Sequence, residues 1–297
     1  MRKGHLAAIF TIFVWGTTYI STKILLETMN PIEILLIRFI IGTAVLFAAY
    51  PRIIKWRGWK EELTLALAGI SGISLYYLFE NVSLIYTSAA NAGVIIALAP
   101  FFTALLLWVL EKNRSAFSAN FITGFILSIS GVAILSYQGQ KFGFSPLGDL
   151  IALGAPMCWA VYSLTSRKLA DIDLPLAAST RRIFEYGILF LLPGLLFSDF
   201  SLTKADFTAE NLMHLSYLSF IASALCFYTW NYATKTLGAL KTGLYIYMTP
   251  VVTLVFSAIV LKEEASWLSI GGAFLALSGL VISEKGVKNN HNASNRR

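Results

Sequence analysis

The sequence predicts an all-α integral membrane protein with ten transmembrane helices, arranged as two inverted five-helix repeats. Two properties of the composition indicate a membrane: 57% of the 297 residues are apolar and only 13% are charged. Soluble domains contain about 25% charged residues, so this chain has too little polar material to cover a surface in water. The mean hydropathy of +0.69 agrees with this. An ordinary soluble enzyme is therefore excluded.

Ten apolar stretches define the predicted helices, since about 20 residues are needed to cross a bilayer. Each stretch is a continuous apolar run rather than a short alternating segment, which is typical of membrane helices and not of barrel strands. Short breaks with charged and turn residues separate the stretches. They cover residues 6–26, 32–50, 64–86, 88–110, 119–137, 147–168, 176–197, 212–235, 239–261 and 266–284.

The basic residues predict the orientation of the chain, because cytoplasmic loops of membrane proteins carry an excess of Lys and Arg. With the N-terminus in the cytoplasm, 18 of the 23 Lys and Arg residues fall on the inner side. Both termini are then cytoplasmic, in a multi-pass protein of the cell membrane. The formal net charge of +7 is explained by this topology and requires no nucleic-acid partner.

Residues of the first half recur in the second half at a nearly constant distance along the chain. The matched pairs, 144 to 150 residues apart, are Trp15 with Trp159, Pro31 with Pro175, Arg38 with Arg182, Asn81 with Asn231, Gly93 with Gly243, Pro100 with Pro250, Gly124 with Gly272, and Gly131 with Gly279. Two halves of five helices are the simplest account. Because five is odd, the second half enters the membrane from the opposite face, as in many secondary transporters.

The repeat predicts three regions of the chain. Residues 1–140 form the first repeat, residues 145–285 form the second, and residues 286–297 form a basic cytoplasmic tail that we expect to be disordered. The sequence contains no paired-cysteine or histidine motif for a metal and no nucleotide-binding loop. We therefore expect neither a cofactor nor a metal, and transport energy would come from the substrate gradient or from protons.

The first and sixth predicted helices carry the same stripe of aromatic and hydroxyl residues. The stripes consist of Trp15, Thr18 and Tyr19, and of Trp159, Tyr162 and Ser163. Residues three and four apart share one helix face, and lipid offers hydroxyl groups no hydrogen-bond partner. The stripes therefore predict either the wall of a substrate cavity or a helix–helix interface.

Four charged residues within the predicted helices are candidate site residues, because a charge there usually faces a cavity or a partner. They are Arg38, Glu80, Arg182 and Glu185. Glu185 lies near the middle of the seventh helix and can pair with Arg182 one turn away, although either arginine could also reach an interface with its long side chain. For each acid, structural ion pairing and titration during transport are both open roles.

Two further groups are candidates for the site. Asn81 and Asn231 are repeated amides within the spans, and Tyr245 belongs to an aromatic group that suits a planar or amine-bearing substrate through stacking or cation–π contact. Packing and interfacial belts explain such aromatic residues equally well.

Helices four and nine carry matched interruptions, each a glycine seven residues before a proline. The four residues are Gly93, Pro100, Gly243 and Pro250. Proline removes a backbone hydrogen bond and kinks a helix, and matched interruptions in two halves point to the central site of a transporter. The alternative is that they are hinges without a site.

Several stretches resemble the bacterial EamA-type branch of the drug/metabolite transporter superfamily. They are Phe13–Gly16, Tyr86–Gly93, Pro100–Thr103, Gly148–Leu150, Cys158–Ala160, Trp230–Asn231, Leu237–Ala239, Thr249–Pro250 and Lys262–Glu263. The resemblance covers about residues 6–284. It implies ten helices in two inverted halves, and export of amino acids, related metabolites or toxic compounds.

We therefore expect a secondary active or facilitative transporter that exports small metabolites, in the first place amino acids or derivatives, by alternating access. Its partners would be the substrate, membrane lipid and, as a candidate coupling ion, protons, and it would act as a monomer or homodimer. The first alternative is a flippase of the same fold for lipid or lipid-linked sugar. The second is a membrane enzyme acting on lipid, which would need an interfacial cluster of nucleophiles, and the third is a non-transporting assembly subunit.

Overall fold

The computed structural model describes residues 1–86, 94–112, 117–136, 145–197, 207–260 and 267–294. These described residues fold into helices joined by short turns, without a strand among them. The α-helices are α1 (Arg2–Leu25), α2 (Pro31–Ala49), α3 (Trp59–Gly69), α4 (Tyr76–Tyr86), α5 (Ala99–Glu111), α6 (Ala119–Ser136), α7 (Pro146–Lys168), α8 (Leu176–Leu191), α9 (Ala209–Ser216), α10 (Cys226–Leu237), α11 (Ala239–Gly243), α12 (Thr249–Val260) and α13 (Trp267–Ser294).

Five helical stretches are long and apolar enough to cross a membrane, judged over the described part of the chain. They are Pro31–Ala49, Trp59–Ser83, Val94–Glu111, Pro146–Lys168 and Ala209–Leu237. They indicate a helical, multi-pass membrane protein, as the composition predicts. The count of ten spans stays a prediction at this point.

The start of α2 is fixed by its own sequence. The Asn30 side chain accepts hydrogen bonds from the backbone N–H groups of Ile32 and Glu33 at 3.0 and 3.1 Å, and the Glu33 carboxylate accepts the Asn30 N–H at 2.9 Å. This reciprocal arrangement satisfies otherwise unpaired donors, and Pro31 supplies a first residue that needs no donor. It explains why Glu33 is buried near the end of a span.

Two π-helical segments interrupt the long helices at corresponding places. Ile70–Leu75 joins α3 to α4, and Tyr217–Leu225 joins α9 to α10. A π-helix shifts the backbone hydrogen bonds by one residue and is frequent at functional sites. A side chain from another helix bonds a carbonyl oxygen of the second segment: the Trp15 indole donates to the Ala222 oxygen at 2.9 Å. The sequence pattern does not predict these segments.

The predicted interruptions at Pro100 and Pro250 are starts of new helices and not kinks within a helix. Pro100 stands in the first turn of α5, and Pro250 stands in the first turn of α12. A 3-10 segment, Leu244–Met248, separates α12 from α11, which ends at Gly243. A proline in a first turn removes no helical hydrogen bond, so the chain begins a new helix there. Gly93 lies outside the described residues.

Helices pack in matched combinations. Helix α1 packs against α10 and helix α4 against α7, while α2 packs against α8 and α6 against α13. The α2–α8 pair is antiparallel. The Phe184 ring meets the Phe39 ring near the middle of α2, with centres 5.0 Å apart. Arg181, which precedes Phe184, reaches the Tyr50 carbonyl at the C-terminal end of α2.

The α6–α13 pair is held together by small residues. A Cβ atom added to Gly131 would lie 2.4 Å from the Ala276 nitrogen and 2.6 Å from the Gly272 oxygen, and one added to Gly279 would lie 2.4 Å from the Gly124 oxygen. Such close backbone approach is typical of membrane helix interfaces. The recurrence of these glycines therefore has a packing reason.

The predicted disorder of the tail is wrong as far as Ser294, where α13 ends. The chain after Ser283 contains no proline. Extending an existing helix adds one hydrogen bond for each residue ordered, which favours continuation over a new start.

Candidate functional site

Five aromatic side chains from α1, α7 and α10 meet inside the helix bundle. This aromatic cluster consists of Trp15, Trp159, Tyr162, Phe227 and Trp230. Ring centroids lie 5.4 Å apart for Trp15 and Trp159, 5.1 Å for Trp15 and Trp230, and 5.7 Å for Trp159 and Trp230. The structure thus brings the predicted residues Trp15 and Trp159 together, and adds Trp230 and Phe227.

The aromatic cluster is filled by its own rings. Trp159 is 4% exposed, and Tyr162 and Trp230 are fully buried, whereas Trp15 keeps part of its surface accessible. The predicted wall of an open cavity is therefore a set of tilted and edge-to-face contacts, the geometry that aromatic pairs prefer. A substrate could enter only if these rings moved apart.

A hydrogen-bonded chain borders the aromatic cluster. The Tyr162 hydroxyl donates to Asn231 Oδ1 at 2.7 Å, and Asn231 Nδ2 donates to Thr180 Oγ1 at 3.1 Å. The chain links α7, α10 and α8 and accounts for the burial of Asn231. Two predicted contact residues have other partners: the Thr18 hydroxyl donates to the Trp15 carbonyl and the Ser163 hydroxyl to the Trp159 carbonyl, both at 2.8 Å.

The remaining member of the α1 stripe, Tyr19, has a side chain outside the described part of the structure. Tyr245 is described and lies elsewhere, because its hydroxyl bonds His5 Nδ1 at the start of α1. Gly243 has open space where a Cβ would stand, so packing does not require a glycine there.

Two indole N–H groups in the aromatic cluster have no hydrogen-bond partner among the described residues. They belong to Trp159 and Trp230, both buried. An unsatisfied buried donor costs about 1–3 kcal/mol, so native proteins keep few of them. Two such donors in one aromatic cluster are suited to an acceptor supplied from outside the chain.

Arg38 lies buried between the two halves of the sequence. Its Nε donates to Ser223 Oγ and its Nη2 donates to the Tyr77 hydroxyl at 3.1 Å. The guanidinium carbon is 4.8 Å from the Tyr77 ring centre, and the stacking and hydroxyl bonds together hold the charge away from lipid.

A cleft opens at the start of α2, the helix that carries Arg38. It has a volume of about 480 Å³ and is lined by residues 26–31 together with Asn81. Asn81 lies one helical turn beyond Tyr77, and Glu80 beside it is buried, with its carbonyl accepting the Ser83 hydroxyl. The predicted residues Arg38, Glu80 and Asn81 therefore lie in one region, which borders the aromatic cluster through the contact of Phe39 with Phe227.

Arg182 belongs to a second polar group, the arginine network, formed by Glu62, Arg181, Arg182, Glu185 and Tyr186. Arg182 donates through Nε and Nη2 to the two oxygens of Glu62, at 3.1 and 3.2 Å, and through Nη1 to Glu185 at 3.2 Å. The Tyr186 hydroxyl donates to Glu62 at 2.6 Å. The pairing of Arg182 with Glu185 that the sequence allows is present.

Glu62 is the buried acid of the arginine network. Its side chain is 2% exposed, whereas that of Glu185 is 36% exposed. Glu185, near the middle of the predicted seventh helix, is thus the more exposed of the two acids. Neither Glu62 nor Arg181 was a predicted site residue. Arg181 donates to the backbone oxygens of Tyr50 and Arg52, at 2.9 and 2.7 Å, and holds the end of α2 against α8.

The fold and the buried polar groups define a class of protein: a helical, multi-pass membrane protein with hydrogen-bonding and aromatic groups between its helices, as membrane transporters have. Comparison with known proteins gives the family. The model of the EamA-like transporter family matches residues 2–137 and 146–284, and the chain belongs to this family. It is a transporter and not an enzyme.

Curated relatives match nearly the whole chain. An uncharacterized transporter of Archaeoglobus fulgidus is 28% identical over 293 residues, covering 95% of this chain and 97% of the relative. A probable amino-acid metabolite efflux pump of Salmonella typhimurium is 26% identical, covering 97% and 96%. A probable terminal-alkyne amino-acid exporter of Streptantibioticus cattleyicolor is 25% identical, covering 95% and 93%. A crystal structure of a protein 22% identical, with a TM-score of 0.78 and coverage of 94% and 97%, has the same fold.

Proposed function

We propose that this transporter exports small amphipathic metabolites, in the first place amino acids or their derivatives, by alternating access around the aromatic cluster. The observation that carries the proposal is the pair of unpartnered indole donors of Trp159 and Trp230. A carboxylate or carbonyl oxygen of a substrate would accept these hydrogen bonds, while the ring faces would contact its apolar part or its ammonium group.

The names of two relatives support the substrate class. One is called a probable amino-acid metabolite efflux pump and the other a probable terminal-alkyne amino-acid exporter. We infer from these names that the substrate is an amino acid or a derivative of one. The energy source we propose is the substrate gradient or a proton gradient, and the active form is a monomer or homodimer.

The architecture we propose is ten helices in two inverted halves, residues 1–140 and 145–285, in the cell membrane with both termini in the cytoplasm. Three observations support it. The family model matches the chain twice, the π-helical segments fall at corresponding places, and the contacts of α6 with α13 are the same when the two halves are exchanged. The segments that begin at Pro100 and Pro250 are proposed as the hinges.

The proposal is tested by counterflow in liposomes that contain the purified protein. Liposomes are loaded with one unlabelled amino acid or derivative from a panel, and uptake of the same labelled compound is measured. We expect at least one compound to exchange above protein-free liposomes. Repeating the measurement with and without a pH gradient decides whether protons are coupled.

The matched variants are Trp159→Phe and Trp56→Phe. Trp159→Phe keeps an aromatic ring but removes the unpartnered donor, and we expect its exchange rate to fall about tenfold, the effect of losing one good hydrogen bond of about 1.4 kcal/mol. Trp56 is 55% exposed in a loop, so its replacement should leave exchange unchanged. Equal rates in the two variants would contradict the site, and movement of a labelled lipid without exchange of any compound would favour a flippase.

A further inference from the structure

Two arginines at repeated positions link the two halves of the chain in complementary ways. Arg182, on α8 of the second half, bonds Glu62, on α3 of the first half. Arg38, on α2 of the first half, bonds Ser223, in the π-helical segment of the second half. Because Arg38 corresponds to Arg182, each arginine reaches across from its own half to the long π-containing helix of the other half.

The two links lie at different levels along the helix bundle. Helices α2 and α8 run antiparallel, and each arginine stands in the N-terminal half of its helix. The Arg182–Glu62 link belongs to the arginine network. It closes the end of the bundle where Arg181 bonds the backbone oxygens of Tyr50 and Arg52. The other link involves the N-terminal half of α2, and the cleft of about 480 Å³ lies at the start of this helix.

The chemistry of the two links is unequal. Glu62 is a buried carboxylate that accepts two parallel hydrogen bonds from Arg182, and it also accepts one from Tyr186. The partners of Arg38 are the neutral hydroxyls of Ser223 and Tyr77 and the faces of aromatic rings. Hydrogen bonds between two charged groups are about twice as strong as neutral ones, and the paired arrangement adds geometric specificity.

We propose that these two links are the two gates of the transporter and that their inequality sets its resting state. The Arg182–Glu62 gate holds one end closed, and the weaker Arg38–Ser223 gate lets the opposite end open first. This inference rests on the proposed function, because gates have a role only in alternating access. The position of the cleft supports it, since the space lies at the start of α2, the helix that carries Arg38.

The chain provides a reporter for each gate. Cys226 is buried one turn after Ser223, beside the Arg38 gate. Ser179 is buried one turn before Arg182, beside the other gate, and Ser179→Cys adds a thiol there with little change in size. In a Cys158→Ala background, the alkylation rate of each thiol measures how often its end of the molecule opens.

Loosening the strong gate should move both rates in opposite directions. Glu62→Gln removes the charge of the Arg182 partner, so we expect the Ser179→Cys thiol to react about tenfold faster and Cys226 to react more slowly. Ser223→Asp strengthens the Arg38 gate with a carboxylate and should shift both rates the same way as Glu62→Gln. Ser223→Ala weakens that gate and should increase the rate at Cys226.

The control is Glu61→Gln, which removes the adjacent exposed acid that pairs with Arg57 at 2.6 Å and should leave both rates unchanged. If Glu62→Gln does not fold, Arg182→Lys, which keeps the charge but loses the second bond, takes its place. Rates that match the Glu61→Gln control, or that rise together at both thiols, would overturn the proposal.

The experiment also separates this inference from the proposed function. Alkylation is measured without substrate, so reciprocal shifts with no exchange of any amino acid would leave the gates in place and refute the substrate. Exchange of an amino acid without reciprocal shifts would leave the export function in place and refute the gates.

Discussion

At the scale of single residues, the arginine network contains two acids with very different surroundings. Glu62 is enclosed by Arg182 and Tyr186, whereas Glu185 pairs with Arg181 and Arg182 from a partly exposed position. Removing one partner of a buried ion pair leaves the other charge without compensation. The same change at an exposed pair has little effect, because water replaces the lost partner.

This contrast predicts unequal losses of stability. Glu62→Gln should lower the free energy of unfolding by about 3 kcal/mol, and Glu185→Gln should lower it by less than about 1 kcal/mol. Thermal or denaturant unfolding of the purified variants in one detergent measures the difference. Equal losses would mean that exposure does not decide the strength of these pairs.

The sequence distinguishes Arg182 but not its main partner. A charged residue inside an apolar run is conspicuous, and this identifies Arg38, Glu80, Arg182 and Glu185. Glu62 stands instead in the first turn of α3, beside Lys60 and Glu61, where a polar residue is expected. The two neighbouring glutamates point about 100° apart on a helix, and only the position of α8 decides that Glu62 is the buried one.

At the scale of helices, the contact between α6 and α13 depends on glycine. A methyl group at Gly131 would collide with the backbone of α13, which cannot rotate away as a side chain can. Gly271, next to Gly272 on α13, has open space where its Cβ would stand. The chain therefore offers two glycines in the same helix pair with opposite requirements.

Alanine at these two positions should have opposite effects. Gly131→Ala should destabilise the protein by about 1–3 kcal/mol, the range for overpacking. Gly271→Ala should be neutral or stabilise it by up to about 1 kcal/mol, since alanine favours a helix over glycine. Melting temperatures of the two purified variants test this, and a loss at Gly271→Ala as large as that at Gly131→Ala would contradict it.

The helices themselves follow from the sequence better than their interruptions do. The predicted stretch 32–50 corresponds to α2, Pro31–Ala49, and the stretch 147–168 corresponds to α7, Pro146–Lys168. Apolar runs fix these because a segment that crosses lipid needs about 20 predominantly apolar residues. The π-helical segments leave no such signal, since one shifted hydrogen bond per residue changes neither the composition nor the mean hydropathy.

At the scale of the whole molecule, the orientation of the second half decides the topology. The basic residues place Lys112, at the end of α5, in the cytoplasm and Ser145, before α7, outside. In a cysteine-free background, an impermeant maleimide should label Ser145→Cys in intact cells, and should label Lys112→Cys only after the cells are permeabilised. Equal labelling of both positions in intact cells would show that the inverted arrangement is wrong.

The repeat is visible in the sequence because both halves keep the residues that pack or turn the chain. What it does not reveal is whether the centre is open. The same tryptophans would line a cavity if the helices stood apart, but in this structure Trp15, Trp159 and Trp230 lie in contact with one another. The distance between the helices depends on the conformational state, and one sequence can adopt more than one such state.

The α6–α13 contact has a consequence for chains that carry only one half. Gly124 meets Gly279 while Gly131 meets Gly272, so each helix presents to its neighbour the face that its neighbour presents in return. An interface of this kind is isologous, as between the subunits of a two-fold symmetric dimer. Two copies of one half, inserted in opposite orientations, would form the same contact. When the two halves are made as separate polypeptides, a dimer of identical halves therefore competes with the correct assembly of the two different halves.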